Sequence, residues 1–95
     1  MNLRQAARGR ECQVRIPGVC NFDPATTILA HLNGAGMGRK ASDIHAALCC
    51  SACHDVADSR VQSVYTSDEV KLMFLEGIMR TQEIWLTEGR IVITK

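Results

Sequence analysis

The chain has 95 residues, 46% hydrophobic and 22% charged, with a net charge of +1 and five cysteines. Such a length supports one small domain with a modest core, which domains of this size often reinforce with a metal or disulfides. No run of about 18 apolar residues exists, so no membrane span is expected, and the absence of an apolar N-terminal leader points to the cytoplasm, where paired cysteines hold metal rather than disulfides.

The charge is unevenly placed. Residues 1–40 carry six basic side chains against two acidic ones, and residues 41–95 carry five against eight. A basic first half facing a carboxylate-bearing second half suits a protein that attracts phosphates and needs metal ligands, although a mixed soluble surface fits the same numbers.

Residues 2–8 read as one short helical turn before Gly9, with Arg4 and Arg8 on one face. Glu11 to Cys20 alternates and then meets Pro17-Gly18, a strong turn dipeptide, so a hairpin or tight loop is expected to fold Cys20 back toward Cys12. Packing of those two thiols as small apolar groups is the competing account. After a turn over Asn21 to Pro24, Thr26 to Leu32 is the best strand candidate, with His31 near its end. Asn33 to Lys40 is a loop with three glycines closing on Arg39 and Lys40, a pattern that lets backbone approach a phosphate but is common in basic loops generally.

Asp43 to Cys49 is expected as a second strand or an ordered approach to Cys50. Ser51 to about Arg60 reads as a helix, with Asp55 and Asp58 toward its N-terminal end and Arg60 in its last turn. Thr66-x-x-Glu69 matches a capping box for a second, longer helix. Its stripe of Val70, Met73, Phe74, Ile78 and Trp85, with Leu75, Met79 and Leu86 alongside, is expected to be core, with a partner- or membrane-facing helix as the rival reading. Gly89 is a natural stop, and Ile91 to Thr94 reads as a short final strand. With no repeat or linker, residues 1–95 are expected to form a single domain.

Chemistry concentrates in Cys50-Ser51-Ala52-Cys53-His54-Asp55-Val56-Ala57-Asp58. The C-x2-C bite suits two thiolates on one tetrahedral ion, and Cys12 and Cys20 upstream complete a four-thiol set for structural zinc. Cys49 is then expected to be a buried apolar residue. His54 and Asp58 share a helix face at i, i+4, and a strand-borne His31 opposite them would allow one-metal phosphodiester hydrolysis. In that chemistry a divalent ion neutralises the reacting oxygens while an imidazole takes a proton from water. Asp43 is expected to hydrogen-bond or ligate nearby. A lone histidine is more often structural, Asp58 also reads as a solvated helix carboxylate, and His45 is expected to be structural. Cys50-x-x-Cys53-His54 also fits c-type haem attachment with Met37 or Met73 as axial ligand, but this leaves Cys12 and Cys20 without a role and lacks an export segment.

The order Leu29-Ala30-His31, Gly34-Ala35-Gly36-Met37-Gly38-x-Lys40, Asp43, Cys50-x-x-Cys53-His54-Asp55-x-x-Asp58-x-Arg60 and Arg80-Thr81-Gln82 resembles the small prophage-encoded nucleases of the YbcO type, which are similar to HNH, or ββα-metal, endonucleases. The resemblance covers nearly the whole chain. It implies a small α+β, ββα-metal (HNH-like) domain with a four-cysteine zinc clamp and a long C-terminal helix. The implied activity is a metal-dependent DNA endonuclease linked to phage recombination, with DNA and a host or phage recombination protein as partners. His31 would be the general base, and His54 and Asp58 would hold a catalytic divalent ion (Mg²⁺, Mn²⁺ or Zn²⁺). Arg39 and Lys40 would contact DNA phosphates, with Arg8, Arg10 and Arg60 assisting. Ala30 occupies the position where that superfamily commonly carries a ligand before the base, and Asp43 stands approximately for its middle Asn. The alternative is a non-catalytic, zinc-stabilised module that binds DNA or a recombination protein. Oligomeric state carries no sequence signal.

Overall fold

A computed structural model describes residues 2–32 and 42–94. The glycine-rich loop from Asn33 to Lys40, and with it Arg39 and Lys40, lies outside the described residues. In chain order the elements are α1 (Leu3–Ala6), a 3₁₀ turn (Pro24–Thr26), β1 (Ile28–His31), a second 3₁₀ turn (Asp43–His45), β2 (Ala46–Cys49), α2 (Ser51–Ala57) and α3 (Ser67–Thr87). This is a small α+β arrangement with a two-stranded sheet and a long C-terminal helix, as expected.

β1 pairs antiparallel with β2, with Ile28 opposite Cys49 and His31 opposite Ala46. Alternation along the strands divides the core in two. Leu29, Ala46 and Leu48 pack with Leu3, Ala7 and Trp85, while Ala30, Ala47 and Cys49 pack with the other four cysteines and with Val70, Phe74 and Ile78 of α3.

The outer edge of β2 has no third strand among the described residues, and its polar groups are met in another way. The Gln13 N–H donates to the Leu48 carbonyl at 2.7 Å, and the Leu48 N–H donates to Thr81 Oγ1 at 3.0 Å. Thr81 in turn donates to the Gly77 carbonyl at 2.7 Å, and Arg80 places Nε and Nη2 on the Gln13 carbonyl at 2.9 and 2.6 Å. A loop and a helix therefore cover an edge that would otherwise template foreign strands.

The capping box forms as read: the Glu69 N–H donates to Thr66 Oγ1 at 3.1 Å and the Thr66 N–H to Glu69 Oε1 at 2.8 Å. The buried face of α3 is Val70, Phe74, Gly77, Ile78, Thr81 and Trp85. Leu75 and Met79, expected alongside the core, are instead exposed, Met79 by 69%. The helix buries a narrower stripe, and two small residues, Gly77 and Thr81, let loop and strand approach closely. Trp85 is fully buried, with the Arg10 and Arg90 guanidiniums 5.2 and 5.9 Å from its ring centroid. Glu88 pairs with both arginines, and the Arg10 contact first and then Arg90 hold its carboxyl down to about 2. That contact is intact above the ordinary carboxylate range and is lost only as pH falls through about 2.

Of the hairpin or tight loop expected over Cys12 to Cys20, the structure has the tight loop, because Arg15 turns the chain at φ +53° and the Val19 and Cys20 N–H groups both close on the Ile16 carbonyl. Several other local expectations are corrected. β1 is shorter than Thr26–Leu32 because Pro24–Thr26 forms a 3₁₀ turn capped by Asp23. α2 stops at Ala57 because Ser59 adopts φ +62° and the Arg60 and Val61 N–H groups bond the Asp55 carbonyl. Asp58 is therefore the C-cap, at the end of the helix dipole that disfavours an acid, and not near the N-terminus. Ile91 to Thr94 is not a strand: Gly89 at φ +73° turns the chain, and the Arg90 and Ile91 N–H groups are spent on the Trp85 carbonyl.

A methyl group on Gly77 would meet Val14 Cγ2 at 2.9 Å, Val14 Cα at 3.0 Å and the Gln13 carbonyl oxygen at 3.2 Å. Gln13 is tied to both β2 and Arg80, so its backbone cannot simply retreat. Overpacking of about 1–3 kcal/mol should outweigh the roughly 1 kcal/mol gain in helix propensity. Gly77→Ala is thus expected to lower the urea midpoint, whereas the same change at an exposed helix site would raise it.

Candidate functional site

The sulfurs of Cys12, Cys20, Cys50 and Cys53 all lie within 4.8 Å of one another, and all four residues are buried. Cys12 and Cys20 come from the N-terminal loop, Cys50 is the N-cap of α2, and Cys53 lies one turn in. Cys20 and Cys50 Sγ are 3.8 Å apart, matching the edge of about 3.8 Å in a tetrahedron with metal–sulfur bonds of about 2.3 Å.

Backbone amides converge on the same sulfurs. The Arg15 N–H donates to Cys12 Sγ at 3.5 Å and the Cys53 N–H to Cys50 Sγ at 3.4 Å. Phe22 and Ile16 amides serve Cys20 and Cys53. The left-handed residues Arg15 and Phe22, at φ +53° and +55°, follow Cys12 and Cys20 by three and two positions and turn their own amides onto those sulfurs. Such N–H donors stabilise thiolates. Burial pushes the Cys20 thiol up to about 11. Hydrogen bonds from Cys49 and then Cys53 drive Cys12 strongly down, and the same bonds to Cys12 lead the upward shift of its two partners. Four thiolates this close together in a buried site need a cation to offset their mutual repulsion. The geometry and donor set fit a metal ion. Cys49 is fully buried beside the cluster but outside the four-sulfur set, and it meets Cys12 and Cys53 by hydrogen bonds rather than by apolar packing alone.

The remaining candidates form two pairs. His31 Nε2 is 2.6 Å from Asp43 Oδ1, and Arg4 Nε is 3.5 Å from the same oxygen. His31 stands at the end of β1 opposite Ala46, hence on the side of the sheet that α1 covers. The turn bearing Asp43 is held because the Leu32 N–H donates to the His45 carbonyl at 2.9 Å and Gln82 Nε2 to the Ile44 carbonyl at 2.6 Å. His31 and then Arg4 hold the Asp43 carboxyl below its ordinary value, so the carboxylate stays charged through the ordinary range and is neutralised only as pH falls below it. Arg4 was only a weak signal in the sequence; its link to Asp43 crosses 39 positions, which no local pattern reports.

His54 Nε2 is 3.0 Å from Asp58 Oδ2, the i, i+4 pairing expected of α2. Arg60 approaches Asp58 Oδ2 at 3.4 Å and Asp55 Oδ1 at 3.5 Å. Among the described residues, the four cysteines are the one group of three or more metal-capable side chains brought within ligating distance, so His31 and Asp43 do not join His54 and Asp58 in a single cluster. Leu32, next to His31, nevertheless lines the same cavity as Val56 and Ala57, which lie between His54 and Asp58. His45 is exposed, with Nδ1 3.5 Å from Ser42 Oγ. No helix among the described residues is long and apolar enough to cross a membrane.

Residues 1–90 match the family described as "Putative nuclease YbcO". The chain belongs to this family. A protein described as "Putative nuclease YbcO" from Escherichia coli (strain K12) is 54% identical over 93 residues, covering 95% of this chain and 96% of its own. A namesake from Enterobacteria phage 82 has the same identity and coverage. A solved structure, "Structure of a putative bacteriophage protein from Escherichia coli str. K-12 substr. MG1655", superposes with a TM-score of 0.81 at 51% identity, covering 93% of this chain and all of that one. This chain thus shares its fold with a solved relative.

Metal supply should decide whether this member of the family folds. Cys12→Ser and Cys53→Ser are each expected to lose bound metal and melt at markedly lower temperature, while Cys49→Ser retains full metal content. Metal quantification and thermal melts on the same preparations check both halves.

Proposed function

We propose that the protein is a metal-dependent DNA endonuclease acting through a one-metal, HNH-type mechanism, with residues 1–95 forming a single domain of that kind and zinc filling the four-cysteine centre. The His31–Asp43 contact carries the reading: a carboxylate on Nε2 fixes the tautomer and leaves Nδ1 to take a proton from water. The family description supplies the nucleic-acid substrate class, and the order strand, strand, helix, with a histidine ending the first strand and another on the helix, agrees with a ββα-metal domain.

His54 Nε2 and Asp58 Oδ2, 3.0 Å apart, match neighbouring positions on an octahedral ion with bonds of about 2.1 Å, whose edge is about 3.0 Å. A divalent ion held there would supply charge neutralisation at the phosphate and at the departing oxygen. His31 removes the water proton, and Asp43 faces the imidazolium that results. Arg4, 57% exposed beside Asp43, is the nearest described cation to that pair and positions a backbone phosphate. Arg39 and Lys40 are assigned the same work, with Arg8, Arg10 and Arg60 as lesser contributors. Contacts of this kind read phosphates and not bases, so cutting has little sequence preference and weakens with salt. A recombination protein of host or phage is the proposed partner that directs it.

A second reading has its own support. Ala30 offers no ligand before His31, and no third ligand joins His54 and Asp58 among the described residues. A zinc-stabilised module that binds DNA or a recombination protein without cutting would have the same core.

The two separate in a plasmid-nicking assay with Mg²⁺, Mn²⁺ and Zn²⁺. His31→Ala and His54→Ala should each slow nicking by roughly 10²–10⁴-fold, and Arg4→Gln should weaken DNA binding without changing metal content. Equal nicking by wild type and both histidine variants would defeat the mechanism, and DNA binding without nicking under every ion would favour the module.

A further inference from the structure

Between the end of α2, the loop that follows it and the first turns of α3 lies a cavity of about 600 Å³ that neither the metal centre nor the histidine pairs use. We propose that it takes a single unpaired nucleobase from a DNA strand whose backbone passes His54 and Asp58. This rests on the nuclease reading and adds a substrate form to it.

The floor is apolar and already part of the core: Val56, Val70 and Phe74 are each at most 8% exposed. A hydrated ion gains nothing from such a floor, whereas the face of a heterocycle does. Tyr65 forms one wall, and its hydroxyl donates to the Pro17 carbonyl at 3.0 Å, so the ring is held before any ligand arrives. Aromatic walls of this kind bind bases by stacking, tolerantly of sequence. The rim is neutral and hydrogen-bonding, with Ser59, Gln62 and Ser63 suited to the polar edge of a base. Among the described residues of the lining Lys71 is the one charged side chain and no carboxylate is present, which favours a ligand attached to phosphate over a cationic one.

Ala57 lies directly before Asp58 and three residues after His54, so a nucleotide whose phosphate meets that pair has its base within reach of the opening. The volume falls within the roughly 300–1,000 Å³ of small-molecule pockets, and a base stacked inside a duplex cannot enter it. The substrate form is therefore DNA carrying an unpaired base, as at a bulge, a flap or a single strand.

Fluorescence anisotropy with metal-loaded protein and no added divalent ion tests this without cleavage. Three labelled duplexes are compared: fully paired, with one bulged nucleotide, and with the same bulge made abasic. The bulged duplex should bind about tenfold more tightly than the paired one, and the abasic bulge should lose that advantage. Ala57→Leu, which extends a side chain into the cavity, should remove the advantage too, with metal content and melting temperature verifying its fold. Equal affinity of wild type for the intact and abasic bulges overturns the proposal, as it would if the cavity serves a protein side chain. So does a base preference that survives in folded Ala57→Leu. Nicking that persists without base dependence sinks the cavity alone, and base-dependent binding without histidine-dependent nicking sinks the nuclease mechanism alone.

Discussion

Four buried thiols within 4.8 Å of one another are the constraint on which the rest of this protein depends. Backbone amides point at each of the four sulfurs, a donor set suited to thiolates that a cation would hold together. With a metal the same arrangement becomes a large local source of stability, comparable to the net stability of a domain. Structural zinc sites contribute an apparent 10–16 kcal/mol or so in small peptides, against about 5–15 kcal/mol for the stability of a whole domain. The N-terminal loop has no strand or helix of its own between Ala6 and Pro24, so the cluster, the buried side chains of Val14 and Ile16 and a few backbone tethers give it a place.

From that centre the order spreads by short polar links. Gln13 joins the metal loop to β2, Arg80 and Thr81 join both to α3, and Gln82 of the same helix holds the turn that carries Asp43. One stretch of α3, Arg80 to Gln82, thus braces the loop, the sheet edge and the carboxylate beside His31. Pre-organisation of this kind matters to any chemistry at His31, since an imidazole a fraction of an ångström from its proton acceptor geometry is a poor base. The His54–Asp58 pair is placed differently, by the helix that Cys50 caps and Cys53 anchors.

Much of this was legible because it is local. The Thr66–Glu69 box, the Cys50–Cys53 bite and the His54–Asp58 spacing each span four positions or fewer, and each formed as its pattern implies. The pairing of the two cysteine sets was readable from residue type. What could not be read depends on contacts between distant parts or on backbone conformations outside glycine. Arg15 and Phe22 look like ordinary residues yet supply the left-handed turns behind two ligands. Ser59 does the same at the end of α2 and shortens it, which moves Asp58 from an expected early position to the cap. Gly77 and Thr81 interrupt the apolar stripe of α3 for packing reasons visible only once Val14 and Leu48 arrive. Ile91 to Thr94 has strand composition, but its first amide closes a helix instead.

Trp85 is the chain's one tryptophan, and it sits in the half of the core away from the thiols, between Arg10 and Arg90. Its indole therefore works as a built-in optical probe of how the N-terminal segment seats against the end of α3. Because the metal-facing core has Tyr65 and Phe74 but no indole, the emission spectrum and the metal content report on separate halves of one molecule. A partly folded form that keeps one half and loses the other would be visible in a cuvette.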